Sequence, residues 1–290
     1  MIRFGSYLQT NWDWRAAGNF MFGGTGSALM LMTALASWPA VPPVPLGLAA
    51  LAFVGLGLFL VWLEIGRPWR FLHVFFHPQA SWMTREGAVA SLLFAVALAG
   101  VAMQSAVAIA CAGALGLVFL YCQGRILRAS KGIPAWREPA VLPLIVTTGL
   151  TEGTAILIMF AVWLEALRDW HIIALAGLLL LRGIFWTRYR AALECSQAPA
   201  GAQQQFRAIH ALFLWGGNAL PLVLVLVPFA AKLDWLVPLA AALALVAGWH
   251  MKFVLVAKAA FVQGYGVGAL QRGRPTPRKP VRREGDPWQA

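Results

Sequence analysis

"VPLGLAALAFVGLGLFLVWLEIGRPWRFLHVFFHPQASWMTRE", from Val44 to Glu86, decides the fold class. Its first part, Val44 to Leu63, is uncharged and apolar without interruption. A helix of about 20 such residues crosses a hydrocarbon core about 30 Å thick. A membrane β-strand would alternate lipid-facing and lumen-facing residues, and no alternation is present. The second part collects Glu64, Arg67, Arg70, His73, His77, Arg85 and Glu86 before the chain turns apolar again. The stretch therefore reads as a transmembrane helix, a polar connector and a re-entry.

The same grammar runs through the chain. Of its 290 residues, 60% are hydrophobic and 12% charged, and the mean hydropathy is +0.70. Soluble domains carry about 25% charged residues. Apolar segments fall at about 16–38, 44–64, 87–103, 105–124, 140–163, 171–189, 208–230 and 235–257. The chain reads as an all-α, polytopic integral membrane protein with eight transmembrane helices. One domain covers residues 1–270, and the arginine- and proline-rich tail 271–290 cannot build a core. The start "MIRFGSYLQTNWDWRAAGNF" lacks the short apolar core and small-residue cleavage site of a secretion signal.

A net charge of +12 invites a nucleic-acid reading, but the charges sit in alternate connectors, which is a topology signal. Arg3 and Arg15 precede the first span, and Arg67, Arg70 and Arg85 follow the second. Arg125, Arg128, Lys131 and Arg137 follow the fourth, and Arg188, Arg190 and Arg207 the sixth. Arg272, Arg274, Arg278, Lys279, Arg282 and Arg283 fill the tail. All fall on one side only if the spans number eight rather than seven. The positive-inside rule then puts both termini in the cytoplasm of a bacterial inner membrane. The tail is expected to act as a charge anchor, or as a strap on a cytoplasmic partner.

Polar groups inside spans are expensive in hydrocarbon and are functional candidates by default. Asn19 lies in the first span, Glu64 closes the second, Glu152 sits mid-depth in the fifth, Arg182 in the sixth and Asn218 in the seventh. Glu152 and Arg182, on consecutive helices, are expected to neutralise each other, with a proton path through Glu152 as the functional rival. His250 and Lys252 are expected to snorkel to the cytoplasmic surface. Small residues four apart, Gly23 with Ser27 and Gly24 with Ala28, favour close helix packing.

Metal chemistry is disfavoured in this chain. Cys111, Cys122 and Cys195 form no CxxC pattern, so neither an iron–sulfur cluster nor structural zinc is expected. His73 and His77 lack a third ligand. Haem b would need facing histidines; His210 and His250, both near the cytoplasmic side, form only a disfavoured pair.

In the connector, Gly66 and Pro68 end the second helix. "RFLHVFFH" places Phe71, Leu72, Phe75 and Phe76 opposite His73 and His77, the pattern of a surface-lying amphipathic helix. Ser81 is positioned to N-cap the next helix, with Glu86 in its first turns. Trp69 and Trp82 belong at headgroup level.

"LEIGRPWRFLH" and "SWMTRE" resemble the hallmark of the NrfD/DmsC family, the membrane anchors of molybdenum- and iron–sulfur-containing oxidoreductases. The residues that carry the likeness are Glu64, Gly66, Arg67, Pro68, Arg70, Ser81, Trp82, Arg85 and Glu86; Ile65 replaces the usual leucine. Glu64 stands where DmsC-like members have histidine. "WDWRAAGNFMFGGTG" and "KAAFVQGYGVG" resemble the branch that accompanies phenylacetyl-CoA:acceptor oxidoreductases. The resemblance implies two four-helix bundles that dock a four-cluster, ferredoxin-like iron–sulfur subunit, itself carrying a molybdopterin catalytic subunit. It also implies a quinone, menaquinone or ubiquinone, bound by Asn19, Glu64, Arg67, Trp82, Arg85 and Glu86. Glu64 would relay protons there, and the substrate chemistry would lie in the partners. A passive anchor without a quinone site is the competing expectation. A secondary transporter should show broken helices at mid-membrane, and only Pro221 clearly interrupts a span.

Overall fold

The computed structural model describes residues 2–65, 69, 72, 76, 78–79, 81–196, 198–231, 235–263 and 265–267. Arg67, His73, His77, the expected surface helix and the tail 271–290 therefore lie outside the described residues, apart from isolated positions in the connector.

Among the described residues, eight helices are long and apolar enough to cross a membrane. Spans 1 to 4 are Trp14–Ser37, Val44–Glu64, Trp82–Ala102 and Ala106–Ala129. Spans 5 to 8 are Val141–Trp163, Asp169–Cys195, Ala200–Val227 and Leu236–Lys258. The chain is an all-α multi-pass membrane protein. Several helices outrun the apolar segments that announce them. Span 3 starts five residues before its apolar run, because Ser81 Oγ accepts the Thr84 N–H at 3.3 Å and caps a polar first turn. Span 6 continues to Cys195, its polar last turns carrying Arg188, Arg190 and Glu194.

The spans pack as two four-helix bundles, 1–4 and 5–8, that meet along spans 1 and 5. Burial agrees with that seam: the apolar windows of spans 1 and 5 are 67% and 72% buried, against 28% for span 3. Without water between helices, close backbone approach drives association, and small residues permit it. A Cβ on Gly57 of span 2 would lie 2.6 Å from Gly23 N, and one on Gly153 of span 5 would lie 2.5 Å from Leu29 N. A Cβ on Gly116 of span 4 would overlap Ser27 O. Span 1 is thus gripped from three sides.

One face is closed by the chain ends. Strand Ile2–Phe4 pairs antiparallel with Tyr265–Val267, and Tyr7–Leu8 with Phe261–Val262. Gln263 N donates to Gly132 O (3.0 Å) and Arg137 Nη2 to Gln263 Oε1 (3.1 Å), so the connector after span 4 joins this cap. Asp13 caps span 1 and holds Arg15 through two carboxylate oxygens, while Arg15 Nη1 reaches Leu63 O of span 2 at 2.9 Å. The Arg15 hydrogen bond keeps the Asp13 carboxyl below the usual carboxylate range.

Among the described residues, π-helical turns interrupt spans 1, 7 and 8, at Asn19–Gly23, Leu212–Ala219 and Val254–Lys258. A π-turn mismatches the helical ladder, and its carbonyls are free to take side-chain donors. Each turn here does so. Gln123 Nε2 donates to Asn19 O. Asn218 Nδ2 and Arg182 Nη2 take Phe213 O and Gly217 O. Trp136 Nε1 and Gln9 Nε2 take Leu255 O and Val256 O.

Candidate functional site

Two cavities adjoin at the end of the first bundle nearest the cap. The larger, about 520 Å³, lies between spans 2 and 3, the sequential neighbours that pack most lightly. Its walls are Gly55, Leu58, Phe59, Val61, Trp62 and Ile65 from the span 2 side, and Met83, Gly87, Ala90, Ser91 and Phe94 from span 3. Phe59, Trp62 and Met83 are exposed on its lipid side. The smaller, about 220 Å³, is lined by Trp12, Ala16, Phe20, Glu64 and Ile126. Asn19, Val61, Ile65, Met83 and Glu86 line both.

Asn19 and Glu86 form the polar core of that shared wall. Asn19 Nδ2 donates to Glu86 Oε1 at 3.1 Å, and both side chains are buried. The π-turn that begins at Asn19 places this carboxamide, and Gly23 and Gly57 leave room for it. Asn19 Oδ1 lies 2.8 and 3.1 Å from where their Cβ atoms would stand. Gln123 of span 4 donates to Asn19 O (2.9 Å) and lies within reach of the Glu86 carboxylate. A buried carboxyl beside a donor amide and an apolar cavity can accept a hydrogen bond or hand over a proton. A fully solvated carboxylate does neither selectively.

The other expected residues separate into distinct places. Glu64 is half-buried in the smaller cavity. Trp82 lines neither cavity. It lies between two guanidinium groups, Arg85 at 4.2 Å and Arg125 at 4.3 Å, with Tyr121 edge-on at 5.8 Å. Arg85 donates to Pro78 O and Gln79 O, and so ties the connector to the start of span 3. Arg85 and Glu86 are therefore not a pair. Adjacent helical positions face different ways, and Glu86 turns into the bundle while Arg85 turns out.

A second buried polar cluster crosses the seam between the bundles. Glu152 Oε2 accepts from Lys252 Nζ at 2.6 Å and from Thr25 Oγ1 at 2.8 Å, and Trp249 Nε1 donates to Thr25 Oγ1. Lys252 and Glu152 are fully buried. This corrects two expectations: Lys252 does not snorkel, and Arg182 is not the salt-bridge partner of Glu152. Helical side chains lean toward the helix N-terminus. Span 8 runs toward the capped face, so Lys252 points down into the seam, away from the headgroups. Gly248, one turn earlier, makes space for Glu152.

Arg182 is satisfied without a carboxylate. Its Nε donates to Asn218 Oδ1 (2.8 Å), Nη1 to Ala244 O (2.9 Å) and Nη2 to Gly217 O. Pro221 has no N–H, which leaves Gly217 O without its usual helical donor. His210 Nδ1 accepts from Trp186 Nε1 at 3.0 Å and His250 is exposed.

No protein-family model matches the chain, and no curated protein does either.

Sequence reasoning missed Gln123, Thr25 and Trp249. Gln123 was within its reach: a carboxamide inside "VFLYCQGRIL" obeys the same cost argument as Asn19. Thr25 and Trp249 gave no such signal, because threonine back-bonds within a helix and tryptophan is at home at an interface.

Proposed function

We propose that this chain is the quinone-reactive membrane anchor of a multi-subunit molybdoenzyme. It would exchange electrons between the membrane quinone pool and an iron–sulfur subunit that carries the molybdopterin subunit. The observation that supports it most is the buried Asn19–Glu86 pair in the wall of an apolar cavity beside exposed Phe59 and Trp62. Ligand sites are concave and mostly apolar, with a few convergent polar groups to fix orientation. A lipid-soluble ring with a polar head matches that lining, and quinone is the member of this class that the NrfD/DmsC resemblance supplies.

A bound quinone supplies two-electron, two-proton chemistry. The residues of this chain bind the head and manage protons. Asn19 holds Glu86 in place, and Glu86 receives or returns a proton at its carboxylate. Glu64, in the adjoining cavity at the water boundary, exchanges that proton with the cytoplasm. Both termini and the basic connectors face the cytoplasm of a bacterial inner membrane in this reading. The capped face receives the iron–sulfur subunit, with the tail 271–290 as strap or charge anchor.

In the assembled complex, Glu64→Gln, Glu86→Gln or Asn19→Ala should abolish quinone-linked turnover while leaving assembly and dye-linked activity intact. Normal quinone-linked rates in all three would sink the assignment.

A further inference from the structure

We propose that Lys252, in span 8 of the second bundle, is a positioning residue for the Glu86 site in the first, acting through Gln123. The proposal deepens the quinone reading and rests on it.

Gln123 is fully buried, and its Nε2 is committed to Asn19 O at 2.9 Å. That bond fixes which end of the amide faces Asn19 and Glu86. Its Oε1 points the other way, with no hydrogen-bond partner among the described residues. Lys252 Nζ is equally buried. It donates to Glu152 Oε2, and an ammonium has three N–H groups to place. The two atoms converge over Gly24 of span 1. A Cβ at Gly24 would stand 2.8 Å from Lys252 Nζ and 2.9 Å from Gln123 Oε1, so both side-chain ends crowd one point that only glycine leaves free of a side chain.

With no side chain on Gly24, the Lys252 ammonium faces the Gln123 carbonyl oxygen beside the span 1 backbone. The ammonium holds the negative end of the Gln123 amide dipole on its own side, since charge–dipole interactions are strong between fully buried groups. The cation then forbids Gln123 to turn over. A flipped amide would aim its NH₂ at the ammonium and its oxygen at Asn19 O and the Glu86 carboxylate. Lys252 thus keeps the donor face of Gln123 toward Asn19, which in turn donates to Glu86.

The test uses the full-length protein in lipid nanodiscs, with a short-chain ubiquinone analogue as probe. Binding is read as tryptophan quenching that Trp62→Phe diminishes. Gly24→Ala wedges a methyl group between Nζ and Oε1, and these close neighbours are ends of flexible side chains that can part. Lys252→Met made together with Glu152→Gln removes the cation without stranding a charge. Each should weaken probe binding about tenfold. Neither should weaken it further in a Gln123→Ala background, whereas general destabilisation would add. Unchanged affinity in both variants, or equal losses with and without Gln123, overturns the positioning role. A parent protein that shows no saturable quenching overturns the quinone reading instead.

Discussion

Glu152 and Lys252 illustrate what a single buried charge demands of its surroundings. Removing one partner of a buried pair strands the other, at a cost of about 3–5 kcal/mol, whereas replacing both by apolar groups of similar volume is often neutral. Lys252→Met alone should therefore lower the thermal midpoint in detergent well below the parent's. The Glu152→Leu/Lys252→Met double variant should recover most of the loss. A double variant as unstable as the single would mean that the pair contributes specific geometry that packing cannot replace. The existence of these charges was legible in the sequence, since hydropathy marks each of them. Their partners were not. Pairing depends on which way a helix runs and on what a neighbouring proline frees, and Arg182 is satisfied by carbonyls that no pattern of side chains announces.

At the scale of elements, spans and their parity follow directly from apolar length and basic connectors, and the eight helices carry them out. The π-turns were hidden, because their cause is tertiary: each exists where donors from other elements or nearby turns claim its carbonyls. The packing glycines were only half legible. Gly23 and Gly24 were singled out for close approach. They do more, because Gly23 makes room for Asn19 and Gly24 for Lys252 and Gln123. Gly116 makes the tightest backbone contact of span 4 with span 1. Gly116→Val has no flexible neighbour to displace, so it should cost at least the 1–3 kcal/mol typical of overpacking. The loss is measurable as a lower midpoint and as earlier proteolysis of the first bundle. A midpoint equal to the parent's would contradict the contact.

The whole molecule is two bundles sharing a polar seam, with the first holding the cavities and the second sending Lys252 across. Among the described residues the cap is built from both ends of the chain, and it packs where the smaller cavity opens. Trp12 lines that cavity and stacks on Trp136 at 4.8 Å, while Gln9 Nε2 bonds Trp12 O and Val256 O. Truncation after Ala260 removes both ribbon partners and should leave eight inserted spans with a protease-sensitive N-terminus and a more accessible Glu64 cavity. Protection equal to that of the full chain would show that the ribbon adds nothing to the cap.

The ribbon also constrains biogenesis. A membrane protein is threaded into the bilayer in chain order, yet the partners of Ile2–Phe4 and Tyr7–Leu8 lie beyond the eighth span. The strands ahead of span 1 must wait, unpaired, until the eighth helix has been made. Closing the cap therefore reports that insertion is complete, and a chain stalled or cut short at the seventh span would present an open, recognisable N-terminus to quality control.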